Sequence, residues 1–218
     1  MPSSKSSNLQ RILDCGVVAV IRAQSGEVLA DVAAALRAGG VVAVEVTFTV
    51  PGAPRVLEQV ADRLGDQIVL GAGTVLDPQT ARIAILAGAE FIVGPSLHRG
   101  VIRLCRRYDK LVFPGAFTPT EVVTAWEAGA DVVKIFPSDL VGPGHLKALA
   151  GPLPQVRLMP TGGVNLETAA DFIRAGACAL GVGSALVDPK AIAQRDFARI
   201  ESLARTYVEI VRQARQAR

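Results

Sequence analysis

Residues 16–47 read GVVAVIRAQSGEVLADVAAALRAGGVVAVEVT. Two Val-rich apolar runs, 16–22 and 41–47, flank a segment of helical period that ends in Ala-Gly-Gly at 38–40. Such runs suit strands buried on both faces, and a helix between two of them is the crossover that a parallel pair requires. Glycine ends the helix because it enters the left-handed region without a Cβ clash. The unit recurs: Ala-Gly-Ala closes a helical pattern at 87–89, 128–130 and 175–177, each time just before another apolar run.

Working outward, the expected strands are 16–22, 41–47, 68–71, 90–93, 111–114, 131–136, 156–160 and 178–182. Eight strands alternating with helices predict an α/β protein, a single (β/α)8 TIM barrel over residues 1–218; a doubly wound open sheet has the same rhythm. An extra helix is expected at 5–14, capping the bottom of the barrel, and one long last helix at 191–216.

Composition agrees with a parallel α/β core. Half of the 218 residues are hydrophobic and 5% are aromatic, so the interior must be built from Val, Ile, Leu and Ala. The net charge of +3 is carried by scattered arginines without interleaved aromatics, which does not indicate nucleic-acid binding. Arg212, Arg215 and Arg218 read as the solvated face and last turn of a terminal helix, where cations suit the helix dipole. Cys15, Cys105 and Cys178 form no CxxC pair, so neither a disulfide framework nor a zinc site is suggested, and a reducing cytoplasm is expected. Residues 1–10 are polar and lack an apolar signal core, and no run approaches a membrane span.

In barrels of this kind the chemistry sits at the C-terminal ends of the strands. Those ends carry Arg22, Glu45 and Thr47, Gly73 and Thr74, Pro95, Pro114 and Gly115, Lys134 and Phe136, Thr161 to Gly163, and Gly183 with Ser184. Within Asp-Val-Val-Lys-Ile-Phe-Pro (131–137), alternation puts Val132, Lys134 and Phe136 on one face. Desolvation there lowers the lysine pKa and makes the amine a nucleophile towards a ketone; a buried ion pair, or a side chain snorkelling to water, is the competing reading. Glu45 shares a face with Ala43 and Thr47 and is suited to proton transfer, or equally to a structural pair with Lys134 or Arg22.

Pro-Thr-Gly-Gly-Val (160–164) and Gly-Val-Gly-Ser-Ala (181–185) close the last two strands, where barrels commonly hold phosphate on bare backbone N–H groups; glycine also serves such turns for geometry alone. Gly-Ala-Gly-Thr (71–74) offers donors for a carboxylate or carbonyl oxygen, or is a tight turn with a local cap. Arg22 is suited to fork onto a carboxylate, or to a surface ion pair. Phe136 and Pro95 supply walls. His98 and His145 have no ligand-spaced companion, so no metal is expected.

Together with Val-Glu-Val-Thr-Phe-Thr-Val-Pro (44–51), Phe-Pro-Gly (113–115) and Val-Lys-Ile-Phe-Pro (133–137), these motifs resemble the 2-keto-3-deoxy-6-phosphogluconate (KDPG) aldolase family, also named for 4-hydroxy-2-oxoglutarate (KHG) cleavage. The resemblance implies a homotrimeric, cofactor-free and metal-free aldehyde-lyase. Its substrate would be a small phosphorylated keto acid, released as pyruvate and an aldehyde. The Schiff-base lysine falls on Lys134 and the acid–base glutamate on Glu45. The pyruvate-holding threonine falls on Thr74, the phosphate loops on Gly162, Gly163, Gly183 and Ser184, and the pocket wall on Thr47, Pro95, Phe136 and Thr161. Members with an arginine four residues after the glutamate use it on the carboxylate, whereas Thr49 stands there in this chain. Arg22 resembles an arginine at the end of strand one in another branch and is given that role. Gluconate- and galactonate-derived substrates both remain open, as does a non-aldolase phosphate-binding barrel.

Overall fold

The computed structural model describes residues 4–24 and 26–217; residues 1–3 and Arg218, parts of two readings above, lie outside them. The strands are β1 (Val17–Ile21), β2 (Ala43–Thr47), β3 (Val69–Gly73), β4 (Phe91–Val93), β5 (Leu111–Phe113), β6 (Gly115–Ala116), β7 (Val133–Ile135), β8 (Leu158–Pro160) and β9 (Leu180–Val182). They pair in parallel in two sheets, ordered β5-β4-β3-β2-β1-β9 and β6-β7-β8. Every expected strand is present at its place. The expected strand 111–114 divides at Pro114, which has no N–H for a ladder; its carbonyl nevertheless accepts the Lys134 N–H at 2.9 Å. The parallel α/β class therefore holds, with nine short strands in two sheets among the described residues.

The sheets are curled, and side-chain alternation sorts the apolar residues into two clusters. Val18, Ala43, Val69, Phe91, Leu111, Val132 and Met159, contributed by successive strands, meet one another and Ile12 on the inner side. Val17, Ala19, Val44, Val46, Val133 and Ile135 point the other way, against the helices. Phe91 and Phe113 stack inside at 5.4 Å between ring centroids. Fully burying a side chain of this size stabilises by about 1.5–3 kcal/mol.

The first helix, Lys5–Cys15, begins on the Ser4 hydroxyl and ends at Gly16, whose φ of 68° lets its N–H reach the Ile12 carbonyl. It is tied to the strand N-terminal ends by Lys5–Asp131 at 2.9 Å and Asn8–Glu90 at 3.2 Å. The expected last helix at 191–216 is two helices, Pro189–Ala193 and Phe197–Gln216. The break falls at Arg195, in the left-handed region at φ 54°, and the Asp196 carboxylate then caps the second helix through the Arg199 N–H. Ile200, Ala204, Tyr207, Val211 and Ala214 form the buried face of that helix, at helical spacing. Among the described residues no helix is long and apolar enough to cross a membrane.

Candidate active site

β2 and β7 bring a carboxylate and an amine into the curled interior. Glu45 has the inward parity of Ala43, and Lys134 that of Val132. Their exposures are 1% and 3%, so neither is hydrated as a surface charge would be. Burial pushes the Glu45 carboxyl above its ordinary range, while the charges of Lys134 and then Arg22 pull it back. Burial lowers the proton affinity of the Lys134 amine; the Glu45 charge opposes that shift and the Arg22 charge adds to it. The Lys134 Nζ lies 4.8 Å from the centroid of the Phe136 ring, and Glu45 Oε2 has no hydrogen-bond partner among the described residues. An amine that is easily deprotonated beside a carboxyl that is easily protonated can add to a carbonyl and exchange protons with the adduct.

A cavity of about 260 Å³ opens at the strand ends, lined by Arg22, Phe136, Thr161, the Gly162-Gly163 turn and the Gly183-Ser184 turn. Gly162 and Gly163 adopt φ of 91° and 68°, which a side chain at either position would disfavour. Thr161 is buried and its Oγ1 has no hydrogen-bond partner among the described residues. A larger cavity, about 840 Å³, shares Arg22 with it and is lined further by Thr49, Pro189 and Lys190; neither cavity has Lys134 or Glu45 in its wall. The smaller one adjoins them through Phe136, which is part of its wall and whose ring centroid lies 4.8 Å from the Lys134 Nζ.

The remaining expected residues divide. Thr47 is fully buried, and its hydroxyl is taken up by the Ile21 carbonyl at 3.1 Å and by the Thr49 hydroxyl at 2.6 Å, so it holds β1 and β2 ends together. Thr74 is half-buried with φ 58°, a conformation that costs a β-branched residue about 1–3 kcal/mol and is a mark of a constrained site. Pro95 is half-buried, and its backbone is approached so closely by Gly115 that no Cβ fits there. Arg22 is exposed at the mouth. His98 caps the helix Arg99–Arg107 by accepting the Gly100 N–H at 3.1 Å, and the His145 ring nitrogen Nε2 bonds the Phe117 carbonyl at 2.8 Å.

Two glycines matter in a way the motif reading did not reach. A Cβ on Gly73 would collide with Glu45 Oε1, and one on Gly181 with Thr161 Oγ1. Both glycines lie within strands, where the absence of a side chain signals close approach by a neighbour. That general signal was readable; the neighbour's identity required the register.

The family model described as KDPG and KHG aldolase matches residues 9–203. The 2-dehydro-3-deoxy-6-phosphogalactonate aldolase of Escherichia coli (strain K12) is 36% identical over 197 residues, 89% of this chain and 96% of that one. The 2-dehydro-3-deoxy-phosphogluconate aldolase of Treponema pallidum is 35% identical over 199 residues, 89% of this chain and 93% of that one. Among solved structures, the KDPG aldolase of Legionella pneumophila, with pyruvate captured as a covalent carbinolamine, superposes with a TM-score of 0.83 at 27% identity. That match covers 90% of this chain and 97% of the other.

Proposed function

The chain belongs to the KDPG and KHG aldolase family, and from that membership we propose that it cleaves 2-keto-3-deoxy-6-phosphogluconate to pyruvate and glyceraldehyde 3-phosphate through a Schiff base on Lys134. The observation that carries this reading is the buried Lys134 amine, its proton affinity lowered, sharing the interior with the Glu45 carboxyl. KHG is a further substrate of the same chemistry.

The neutral Lys134 amine adds to the C2 ketone and forms a carbinolamine. Glu45, protonated at that stage, gives its proton to the departing hydroxyl, water leaves, and an iminium remains. The Glu45 carboxylate, directly or through water, then takes the proton of the C4 hydroxyl. The C3–C4 bond breaks, its electron pair passes into the iminium to give an enamine, and the aldehyde departs. Glu45 returns the proton to C3, and water hydrolyses the new iminium to pyruvate and free Lys134. The iminium is the electron sink that the bond cleavage needs.

Thr74 and its turn hold the carboxylate end, and Gly162, Gly163, Gly183 and Ser184 hold the phosphate on backbone donors. Arg22 supplies a cation to the substrate's anions, and Pro95, Phe136, Thr47 and Thr161 form the wall. Holding both ends positions the scissile bond. The unpartnered Thr161 Oγ1 supports a contact with a substrate hydroxyl near C4, where gluconate and galactonate derivatives differ. A lactate-dehydrogenase-coupled assay with each epimer tests the assignment: faster pyruvate release from the gluconate-derived acid is expected, and release from neither would overturn it.

We also infer that the two sheets close into one (β/α)8 barrel that forms a single domain. Support comes from the Thr161–Gly181 bridge and from the Cys178 N–H donating to the Leu158 carbonyl at 2.9 Å, both across the gap between β8 and β9. A homotrimer in the cytoplasm completes the proposal. Ile83 and Leu86, one turn apart on the helix Pro78–Leu86 and 48% and 68% exposed, offer an apolar contact surface. Light scattering should return the mass of three copies; a monomer mass would contradict the assembly.

A further inference from the structure

Resting on the aldolase reading above, we infer that Arg22 grips the phosphate end of the substrate and sets the preference for phosphorylated over unphosphorylated sugar acids. This departs from the carboxylate role implied by the family resemblance.

Val18 lies in the inner cluster, so Val20 and Arg22, two and four residues further on, share its inward face. β1 pairs with β9 with Ala19 opposite Val182, which runs the end of β1 alongside the Gly183-Ser184 turn. A Cβ built on Gly183 lies 3.8 Å from Arg22 Nη1. Thr74, by contrast, follows β3, which lies two strands away across β2, a separation of roughly 10 Å at ordinary strand spacing.

Charge points the same way. Around the 260 Å³ cavity the lining is glycine turns, small polar side chains and apolar groups, with Arg22 the one ionisable side chain among the described residues. The Arg22 guanidinium is exposed at the cavity mouth, and its charge also reaches Glu45 and Lys134. Backbone N–H groups of two turns on one side and a planar guanidinium on the other complement a phosphate dianion, which a guanidinium contacts through two parallel hydrogen bonds. A sugar acid without its phosphate places no anion at the end of the chain that faces the two glycine turns. Both substrates carry the carboxylate, so the two possible roles of Arg22 separate cleanly in kinetics.

The test uses the full chain, with Arg22→Gln and the charge-preserving Arg22→Lys. It compares cleavage of the 6-phosphorylated acid with that of the same acid lacking the phosphate. A lost charge-assisted hydrogen bond should lower the ratio of the two kcat/KM values by about 10- to 100-fold in the glutamine variant. The lysine variant should recover part of that ratio, and inhibition by inorganic phosphate should weaken by a similar factor in the glutamine variant. An unchanged ratio in both variants, whether both substrates lose equally or neither does, overturns the assignment. Calorimetric titration with inorganic phosphate reads the Arg22 contact without turnover: weaker binding by Arg22→Gln supports it, and equal binding opposes it. Failure of the aldolase reading would appear separately, as absence of a pyruvate adduct on the unmodified chain.

Discussion

Gly73 on β3 provides the space in which the Glu45 carboxylate of β2 sits: a methyl group at position 73 would occupy the place of Oε1. The strands pair with Thr47 opposite Gly73, so the diagonal neighbour Glu45 leans across a bare backbone. Gly73→Ala must therefore displace the carboxylate or the strand, at a cost of about 1–3 kcal/mol. Because the displaced group is the proposed proton carrier, kcat should fall by at least about tenfold while the circular dichroism spectrum is retained. Full activity with unchanged melting would show that Glu45 need not occupy this place.

Glu45→Gln removes the proton carrier while keeping its shape, so kcat should fall about 10²- to 10⁴-fold. The same variant carries a pH signature. The Glu45 charge raises the Lys134 pKa against the lowering by burial. Without that charge the amine deprotonates more easily, and the pH midpoint for imine formation with pyruvate should move down. The measurement is the trapping rate against pH in both proteins. A midpoint that stays put or rises would contradict the electrostatic account.

The buried pair is also a stability cost. The Lys134 pKa lies below its ordinary 10.5, so holding that proton is harder in the folded state than in the unfolded state. The Glu45 pKa lies above its ordinary 4.5, so ionisation is likewise harder in the folded state. The Lys134 penalty is absent well above pH 10.5 and grows as pH falls towards the lowered folded value; the Glu45 penalty is absent well below pH 4.5 and grows as pH rises from there to the raised folded value. Replacing both with apolar side chains, Glu45→Leu with Lys134→Met, should abolish turnover and stabilise by about 1–4 kcal/mol near neutrality. Urea unfolding would detect it, and a clear loss of stability would count against the pair as a functional burden.

Arg215 closes the bottom of the fold. Its guanidinium donates to the carbonyls of Leu13 at 2.6 Å, Cys178 at 2.9 Å and Asp14 at 2.9 Å, tying the last helix to the end of the first and to the approach to β9. Arg215→Ala should lower unfolding stability by about 1.5–3 kcal/mol and leave KM unchanged, because the contacts are at the opposite end of the strands from the glycine turns. Stability equal to the parent would mean that water replaces the guanidinium at no cost.

The strand positions were legible because period, Val content and helix-ending glycines agreed within each unit, as at 16–47. That Glu45 shares a face with Ala43, and Lys134 one with Val132, followed from alternation alone. Three features needed the folded chain. The division of β5 from β6 depends on which neighbour the Pro114 carbonyl reaches. The break before Phe197–Gln216 depends on a single left-handed arginine, Arg195, a conformation no composition rule predicts. The placement of Arg22 beside Gly183 depends on which strand lies next to β1, and β9 is remote from it in sequence.

The most direct test of the account is intact-mass spectrometry with peptide mapping after incubation with pyruvate and sodium borohydride. The account predicts one reduced pyruvyl adduct per chain, located on Lys134 and absent from Lys134→Met. An unmodified folded chain, or an adduct on another lysine that persists in Lys134→Met, would contradict it.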